Sequence, residues 1–158
     1  MFSRYASDAD VTRYLGWRRH RTASDTRAYV TFTASEWEES GVGAYLIWSR
    51  ETGDLLGATG LSATGPRNFM TGYVLAKDAW GRGYATEALH AMVDIAAAMW
   101  ASRIYALCHA AHHASIRVLE RGQFTRAPGW TGQMSFPNIG IDAPQNVVCY
   151  ERRFVRRG

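Results

Sequence analysis

A strand-like segment, a glycine-rich turn and a helix-like segment follow one another between residues 69 and 99. The first segment, 69–75, reads FMTGYVL and carries the aromatic and β-branched residues that favour strands. The turn WGRG follows at 80–83, and residues 86–99 then place apolar side chains along one helical face. Because a strand here leads through glycines into a helix, the chain is expected to combine helices with a sheet.

Similar patterns occur before and after this unit. Further strands are predicted at 44–48, 55–61, 104–108, near Phe124, at 131–136 and at 147–154. Further helices are predicted at 8–15, at 24–39 with Ser24 as its cap, and at 114–121 ended by Gly122. Strands thus precede, interrupt and follow the helices, which indicates an α/β (α+β) protein with a mixed sheet. With no repeat and no linker-like segment, residues 1–158 are expected to form one domain.

The composition indicates where in the cell the protein is expected and which kinds of partner it is expected to bind. No apolar run approaches the ~20 residues that cross a bilayer, and the N-terminus lacks a signal-peptide core, so we expect a cytoplasmic protein without a membrane partner. Cys108 and Cys149 are far apart, so no disulfide framework is predicted. The net charge is +4 and rests almost wholly on arginine, which favours planar anions such as phosphate. The arginines at 152–157 favour a solvated tail over a nucleic-acid contact.

The glycine turn at 80–83 stands where a helix is predicted to begin. A helix N-terminus has N–H groups without intrahelical acceptors and the positive end of the helix dipole, so it stabilises an anion. Gly81 and Gly83 let the backbone approach a phosphate closely, and Arg82 adds a charge. The sequence has no GxxxxGK[ST] string, and Thr86 replaces the third glycine of a dinucleotide fingerprint. A plain helix start and a phosphate-binding turn both stay open.

Six motifs extend this pattern over nearly the whole chain. In order, they are DVTRYLGW at 10–17, GYVL at 72–75, WGRGYATEAL at 80–89, RIYA at 103–106, ASIRVLE at 114–120 and FPNI at 136–139. Together they resemble the GNAT-type N-acetyltransferases, and within them the RimJ/RimL-like branch of ribosomal-protein N-terminal acetyltransferases. The resemblance implies a GNAT fold, whose mixed and mostly antiparallel central sheet is flanked by helices. Most relatives have a strand and half a helix before the equivalent of Met1, which leaves open whether the first strand is present.

The resemblance implies acetyl-coenzyme A (acetyl-CoA) as the co-substrate. The backbones of Tyr73, Val74 and Leu75 would pair with its pantetheine arm like an added strand, and one N–H there would face the thioester oxygen. Backbone amides at the glycine turn and the first helical turn would bind the pyrophosphate. The residues concerned are Gly81, Arg82, Gly83, Tyr84, Ala85 and Thr86.

The implied reaction is direct attack of a primary amine on the thioester in a ternary complex, without a covalent enzyme intermediate. Ser115 matches a serine of the branch and is expected to donate a hydrogen bond to the leaving sulfur. His112 replaces the asparagine of the branch and is expected to contact the coenzyme. His109 or His113 is a hypothetical base, since imidazole titrates near neutral pH. The acceptor would be a protein N-terminus or an amine-bearing small molecule, and a homodimer is compatible with the fold.

Two departures from the family pattern favour an alternative function. Leu119 stands where many relatives have a tyrosine that acts as an acid, and Leu107 replaces the glutamate base of some relatives. These changes suit a non-catalytic domain that binds or senses acetyl-CoA or CoA.

A thiol and three imidazoles fall within six residues and raise the question of a metal site. No nearby carboxylate completes a ligand set and HExxH is absent, so no metal cofactor is expected. The residues of this cluster are Cys108, His109, His112 and His113.

Overall fold

A computed structural model describes residues 1–155 of the chain. Its helices are a π-helical turn Phe2–Ala6, α1 (Ala9–Thr12), α2 (Ala23–Ser40), a 3-10 turn Lys77–Ala79, α3 (Tyr84–Ala98) and α4 (His113–Arg121). Its strands are β1 (Ala44–Trp48), β2 (Leu55–Gly65), β3 (Asn68–Leu75), β4 (Arg103–His109), β5 (Thr125–Arg126), β6 (Gly132–Met134) and β7 (Gln145–Arg153). The predicted mixture of strands and helices is confirmed.

The seven strands form one mixed sheet. Its order is β1-β2-β3-β4-β7-β5, and β6 pairs with β7 next to β5. The β3–β4 pair is parallel and every other pair is antiparallel, as the predicted GNAT architecture requires. The edge strand at one side is β1, and no strand within residues 1–155 pairs with its outer edge. None of the helices in this part of the chain has the length and apolar character needed to span a bilayer.

The main core lies between the sheet and the helices α3 and α4. Leu89, Met92, Val93 and Ala96 of α3 are buried there, so the apolar face predicted for this helix is confirmed. Leu119 of α4 is completely buried in the same cluster. The residue at the position of the family's tyrosine therefore packs in the core, where a leucine contributes about 1.5–3 kcal/mol of burial free energy.

The structure differs from the prediction in the cap of α2 and in the end of α1. Thr22, not Ser24, caps α2: its hydroxyl accepts the Asp25 amide at 3.2 Å, and the Asp25 carboxylate accepts the Thr22 amide at 2.8 Å. This reciprocal pair is a capping box, which stabilises a helix start by satisfying two backbone donors. The α1 helix is capped by Asp8 and ends at Thr12, three residues earlier than predicted.

The α4 helix ends at Arg121 with Gly122 as its C-cap, as predicted. Gly122 has an ordinary φ of −74°, and the left-handed residue is Gln123, with a φ of 63°. The chain therefore reverses its direction at Gln123 and not at the glycine. The next residue, Phe124, lies in the core, and its amide donates to the Leu119 carbonyl at 3.0 Å.

Glu151 is a buried carboxylate in the middle of the sheet. On β7 it accepts hydrogen bonds from Arg103 Nε at 2.5 Å and Arg153 Nε at 2.8 Å. Burial alone would raise the pKa of Glu151, but hydrogen bonds from Arg153 and Arg103 and their charges hold it below its usual range. The arginines at 156 and 157, which belong to the tail predicted to be solvated, lie outside the described residues.

The depressed pKa makes Glu151 a source of acid-sensitive stability. The ionised form is favoured in the folded state, so its contribution is present above the unfolded pKa and is lost as pH falls through the folded pKa. Glu151→Gln should lower the free energy of unfolding at pH 7 by about 1–3 kcal/mol, because it removes the charge that pairs with Arg103. Urea unfolding at about pH 7 and about pH 3 should show a smaller acid-induced loss in the variant than in the wild type.

The exposed Glu39→Gln is the control for this stability measurement. It should keep the acid sensitivity of the wild type. An equal loss of stability on acidification in the Glu151 and Glu39 variants would contradict the assignment.

Candidate active site

An opening in the sheet separates the far halves of β3 and β4. The two parallel strands pair only over Asn68–Arg103, Phe69–Ile104 and Met70–Tyr105. Beyond Met70, the β4-facing edge of β3 has no strand partner in the described chain, so its backbone groups are available to an extended ligand. Tyr73 lies on this free edge, whereas the Val74 carbonyl faces Gly57 of β2, so the predicted pairing of the Val74 backbone with a ligand is not supported. The Leu75 backbone is predicted to pair with a ligand, but its carbonyl already accepts a hydrogen bond from the Trp80 indole N–H at 2.9 Å.

The glycine turn between β3 and α3 depends on two left-handed residues. Gly81 has a φ of 71° and Gly83 a φ of 86°, a region that residues with a side chain rarely adopt. A Cβ placed on either glycine would meet no atom within 4 Å. The glycines are therefore required for the backbone conformation, and the space over them is open for a ligand.

The same turn leaves a row of backbone donors without acceptors. Gly83 caps α3 without a side-chain hydrogen bond, and within residues 1–155 the amides of residues 81–85 donate to no protein acceptor. The Thr86 amide is predicted to bind the pyrophosphate, but it already donates to the Gly83 carbonyl at 3.0 Å. The Arg82 guanidinium lies 5.1 Å from the centroid of the Tyr84 ring and adds its charge here. Five free amides, the helix dipole and a guanidinium suit a diphosphate.

Ser115 of α4 lies across the opening from β3. Its hydroxyl oxygen is 3.0 Å from the Tyr73 hydroxyl, and its carbonyl accepts from the same hydroxyl at 3.1 Å. Burial raises the pKa of the Cys108 thiol to about 11, and the neighbouring Ser115 hydroxyl opposes part of that rise. The Ser115 hydroxyl thus lies at the opening between β3 and β4, next to the Tyr73 phenol and the protonated Cys108 thiol.

His109 and His112 differ in whether a ring nitrogen is free to accept a proton. The Ala111 amide donates to His109 Nδ1 at 3.0 Å, so a neutral His109 carries its proton on Nε2 and has no free lone pair. The nitrogen through which a neutral His109 would accept a proton is therefore already occupied. The ring of His112 has no hydrogen-bond partner within residues 1–155. Burial, and then the charges of His109 and His113, lower the pKa of His112, so its imidazole is neutral at pH 7.

An aromatic wall stands beside these imidazoles. The Tyr14 ring stacks on His112 at 4.7 Å between centroids and lies 4.9 Å from His109, which makes an edge-to-face contact with Phe136 at 4.9 Å. Asn138 holds the wall together by donating to the carbonyls of Thr12 and Trp17, both at 2.8 Å. The wall joins the segment after α1 to the segment before β7.

Sequence reasoning missed the side-chain roles of Tyr73, Tyr14 and Asn138. Tyr73 was predicted to act only through its backbone, and its hydroxyl contact depends on where α4 lies. Tyr14 lies in the motif DVTRYLGW and Asn138 in the motif FPNI. The motifs indicate the family, but they do not indicate what these two side chains contact. In residues 1–155, no three His, Cys, Asp or Glu side chains are grouped so that they could hold a metal ion.

Comparison with known families agrees with this geometry. Residues 1–125 match the model of the acetyltransferase (GNAT) domain. The chain belongs to the GNAT acetyltransferase family. It is therefore an acetyl-CoA-dependent acyltransferase, and the alternative of a purely sensing domain is the less favoured one.

Two curated relatives are similar in sequence to this GNAT chain. The uncharacterised protein YkkB of Bacillus subtilis (strain 168) is 31% identical over 126 residues, which are 77% of this chain and 72% of YkkB. The uncharacterised N-acetyltransferase p20 of Bacillus licheniformis is 27% identical over 92 residues, which are 57% of this chain and 52% of p20. The aligned part thus spans about half the length of p20.

Solved structures share the fold at low sequence identity. RimL, a ribosomal L7/L12 α-N-protein acetyltransferase in complex with coenzyme A, matches with a TM-score of 0.80 at 20% identity, over 96% of this chain and 85% of RimL. Spermidine N-acetyltransferase from Vibrio cholerae matches with a TM-score of 0.76 at 10% identity, over 94% of this chain and 85% of that chain. These likenesses establish the GNAT fold and agree with the RimJ/RimL-like motifs.

Proposed function

We propose that this protein moves the acetyl group of acetyl-CoA to a primary amine by direct attack in a ternary complex. The observation that carries the proposal is the row of free amides at residues 81–85, placed beside the unpaired edge of β3. A diphosphate joined to a peptide-like arm is complementary to both features, and acetyl-CoA has this shape. The RimL structure, which holds coenzyme A on the same fold, supports this reading.

We assign the proton-accepting role to His112. An amine must be neutral to attack, so a group with a free lone pair near neutral pH has to take its proton. His112 has free ring nitrogens and a lowered pKa, and it stacks on Tyr14 in the wall next to the opening. This placement favours the role of base over the predicted contact with the coenzyme.

Ser115 would stabilise the departing sulfur. As the amine nitrogen bonds to the thioester carbon, the carbonyl oxygen gains negative charge, and a backbone N–H on the free edge of β3 can donate to it. The C–S bond then breaks and its electron pair goes to sulfur. A hydroxyl that donates to this thiolate lowers the barrier, and Ser115 lies at the opening where the thioester would reach.

The segment 13–21 indicates an acceptor with negative charge near its amine. It contains Arg13, Arg18, Arg19 and Arg21 and no acidic residue, and none of the four forms a salt bridge within residues 1–155. Arg13 lies 5.4 Å from the Tyr14 ring centroid, in the wall of the site. RimL acts on a protein N-terminus and the Vibrio enzyme on spermidine. Since positive potential attracts anions, we favour an acidic protein N-terminus over a polyamine.

A thiol-release assay with an acceptor panel tests this function. The panel contains Ser-Glu-Glu and Ser-Lys-Lys peptides with free N-termini, and spermidine. We expect kcat/KM for the acidic peptide to exceed that for the basic peptide by about 10-fold at low salt, with the ratio shrinking as salt screens the charges. The N-acetylated acidic peptide is the matched control and should release no thiol.

Other outcomes of the panel would change the proposal. Tight binding of CoA without turnover of any amine would favour the sensing domain. Preference for spermidine would contradict the acceptor class while keeping the reaction. The cytoplasmic location, the single domain over residues 1–158 and the homodimer stay predictions of the sequence.

A further inference from the structure

The Tyr73 side chain bridges the opening in the sheet. Tyr73 lies on β3 three residues beyond Met70, the last residue that pairs with β4. Its ring packs against the main core, and its hydroxyl reaches the first turn of α4 on the far side. Within residues 1–155, its hydroxyl contacts only Ser115: the hydroxyl oxygen at 3.0 Å and the carbonyl oxygen at 3.1 Å.

These two contacts cannot both be donated by Tyr73, because a phenol has one proton. In one arrangement Tyr73 donates to the Ser115 carbonyl, and the Ser115 hydroxyl donates back to the phenol oxygen. In the other, Tyr73 donates to the Ser115 hydroxyl oxygen, and the serine proton is released toward another acceptor. Without the phenol, the hydroxyl of a serine on a helix can turn to a backbone carbonyl of the preceding turn.

We propose that Tyr73 is a positioning residue that orients the Ser115 hydroxyl proton toward the sulfur that leaves during acetyl transfer. This inference rests on the proposed function. A negatively charged sulfur is a stronger acceptor than the phenol oxygen, so its formation selects the second arrangement. Tyr73 then donates to Ser115 while Ser115 donates to sulfur, and the two hydrogen bonds polarise each other.

The reaction balances without a proton from Tyr73. The C–S electron pair goes to sulfur, the thiolate is stabilised by the serine hydrogen bond, and the amine proton goes to the base. Burial raises the pKa of Tyr73 well above its usual value, so the phenol stays protonated throughout and acts only as a donor. Leu119 cannot supply a hydroxyl on α4, and in this chain the phenol comes from β3 instead.

A double-mutant cycle separates this role from a purely structural one. The variants are Tyr73→Phe, Ser115→Ala and the double variant, with kcat and the KM for acetyl-CoA measured for each. We expect each single change to lower kcat by about 10-fold with little change in KM, and the double variant to lose no more than Ser115→Ala alone. Tyr150→Phe is the matched control, because it removes another phenol bonded to α4, to Glu120 at 3.0 Å, and it should keep the wild-type kcat.

A binding measurement tests the same arrangement without turnover. Calorimetry of CoA at about pH 7 and about pH 9.5, compared with desulfo-CoA, isolates the affinity gained by ionising the thiol. The wild type should show this gain, and Tyr73→Phe should lose most of it. An unchanged kcat in Tyr73→Phe, an additive loss in the double variant, or a thiolate gain that survives the change would overturn the proposal. A wild type that binds CoA with this gain but acetylates no amine would instead overturn the proposed function.

Discussion

Replacing His112 by alanine should lower kcat by about 100-fold or more, since a positioned general base typically contributes that much. The physical reason is that His112 is the imidazole beside Tyr14 with a free lone pair, whereas the Nδ1 of His109 is occupied by the Ala111 amide. Initial rates at saturating acetyl-CoA and acceptor measure the effect. His113→Ala is the matched control, because His113 is exposed and adjacent, and it should keep most of the activity.

The pH profile gives this prediction a sign. Burial, followed by the charges of His109 and His113, lowers the pKa of His112, so the imidazole is neutral and able to accept a proton at pH 7. Activity should fall as pH drops through this lowered pKa, below the value usual for histidine. The His112→Ala variant should lack this acid limb. An unaltered acid limb in the variant would assign the base to another group.

Changing both turn glycines to alanine should weaken the binding of CoA by about 100-fold. Gly81 and Gly83 are both left-handed, and a side chain at each such position costs about 1–2 kcal/mol, or the turn changes shape and its amides no longer converge. Calorimetry with CoA measures the loss.

Gly129→Ala is the control for the glycine prediction, because Gly129 is also left-handed, at a φ of 66°, and also has open space around it. It should cost stability without changing the affinity for CoA. If the double alanine variant bound CoA like the wild type, the turn would be a plain helix start.

Local sequence signals predicted much of the frame of the site. The strand at 69–75, the glycine turn and the apolar face of α3 depend on residues close together in the chain, and the structure confirms all three. The free amides at 83–85 follow from the same local rule, because the first N–H groups of any helix have no intrahelical acceptor.

Other parts of the site depend on contacts that no local pattern encodes. The occupation of His109 Nδ1 depends on one hydrogen bond within a turn, and the contact of Tyr73 with Ser115 depends on the position of a helix that begins 40 residues later. The cap of α2 was misplaced because Thr22 and Ser24 are both good caps, and only Thr22 has Asp25 three residues ahead.

The Asn138 side chain connects two segments that are far apart in the chain. Its side chain donates to the carbonyls of Thr12 and Trp17 and accepts the Arg19 amide, across 119 to 126 positions of the chain. Contacts between such distant residues cost more loop-closure entropy than local ones, so we expect them to form after the local contacts. We therefore expect the wall around Tyr14 to take shape only after the segment before β7 has docked, later than the glycine turn and α3, whose contacts are local.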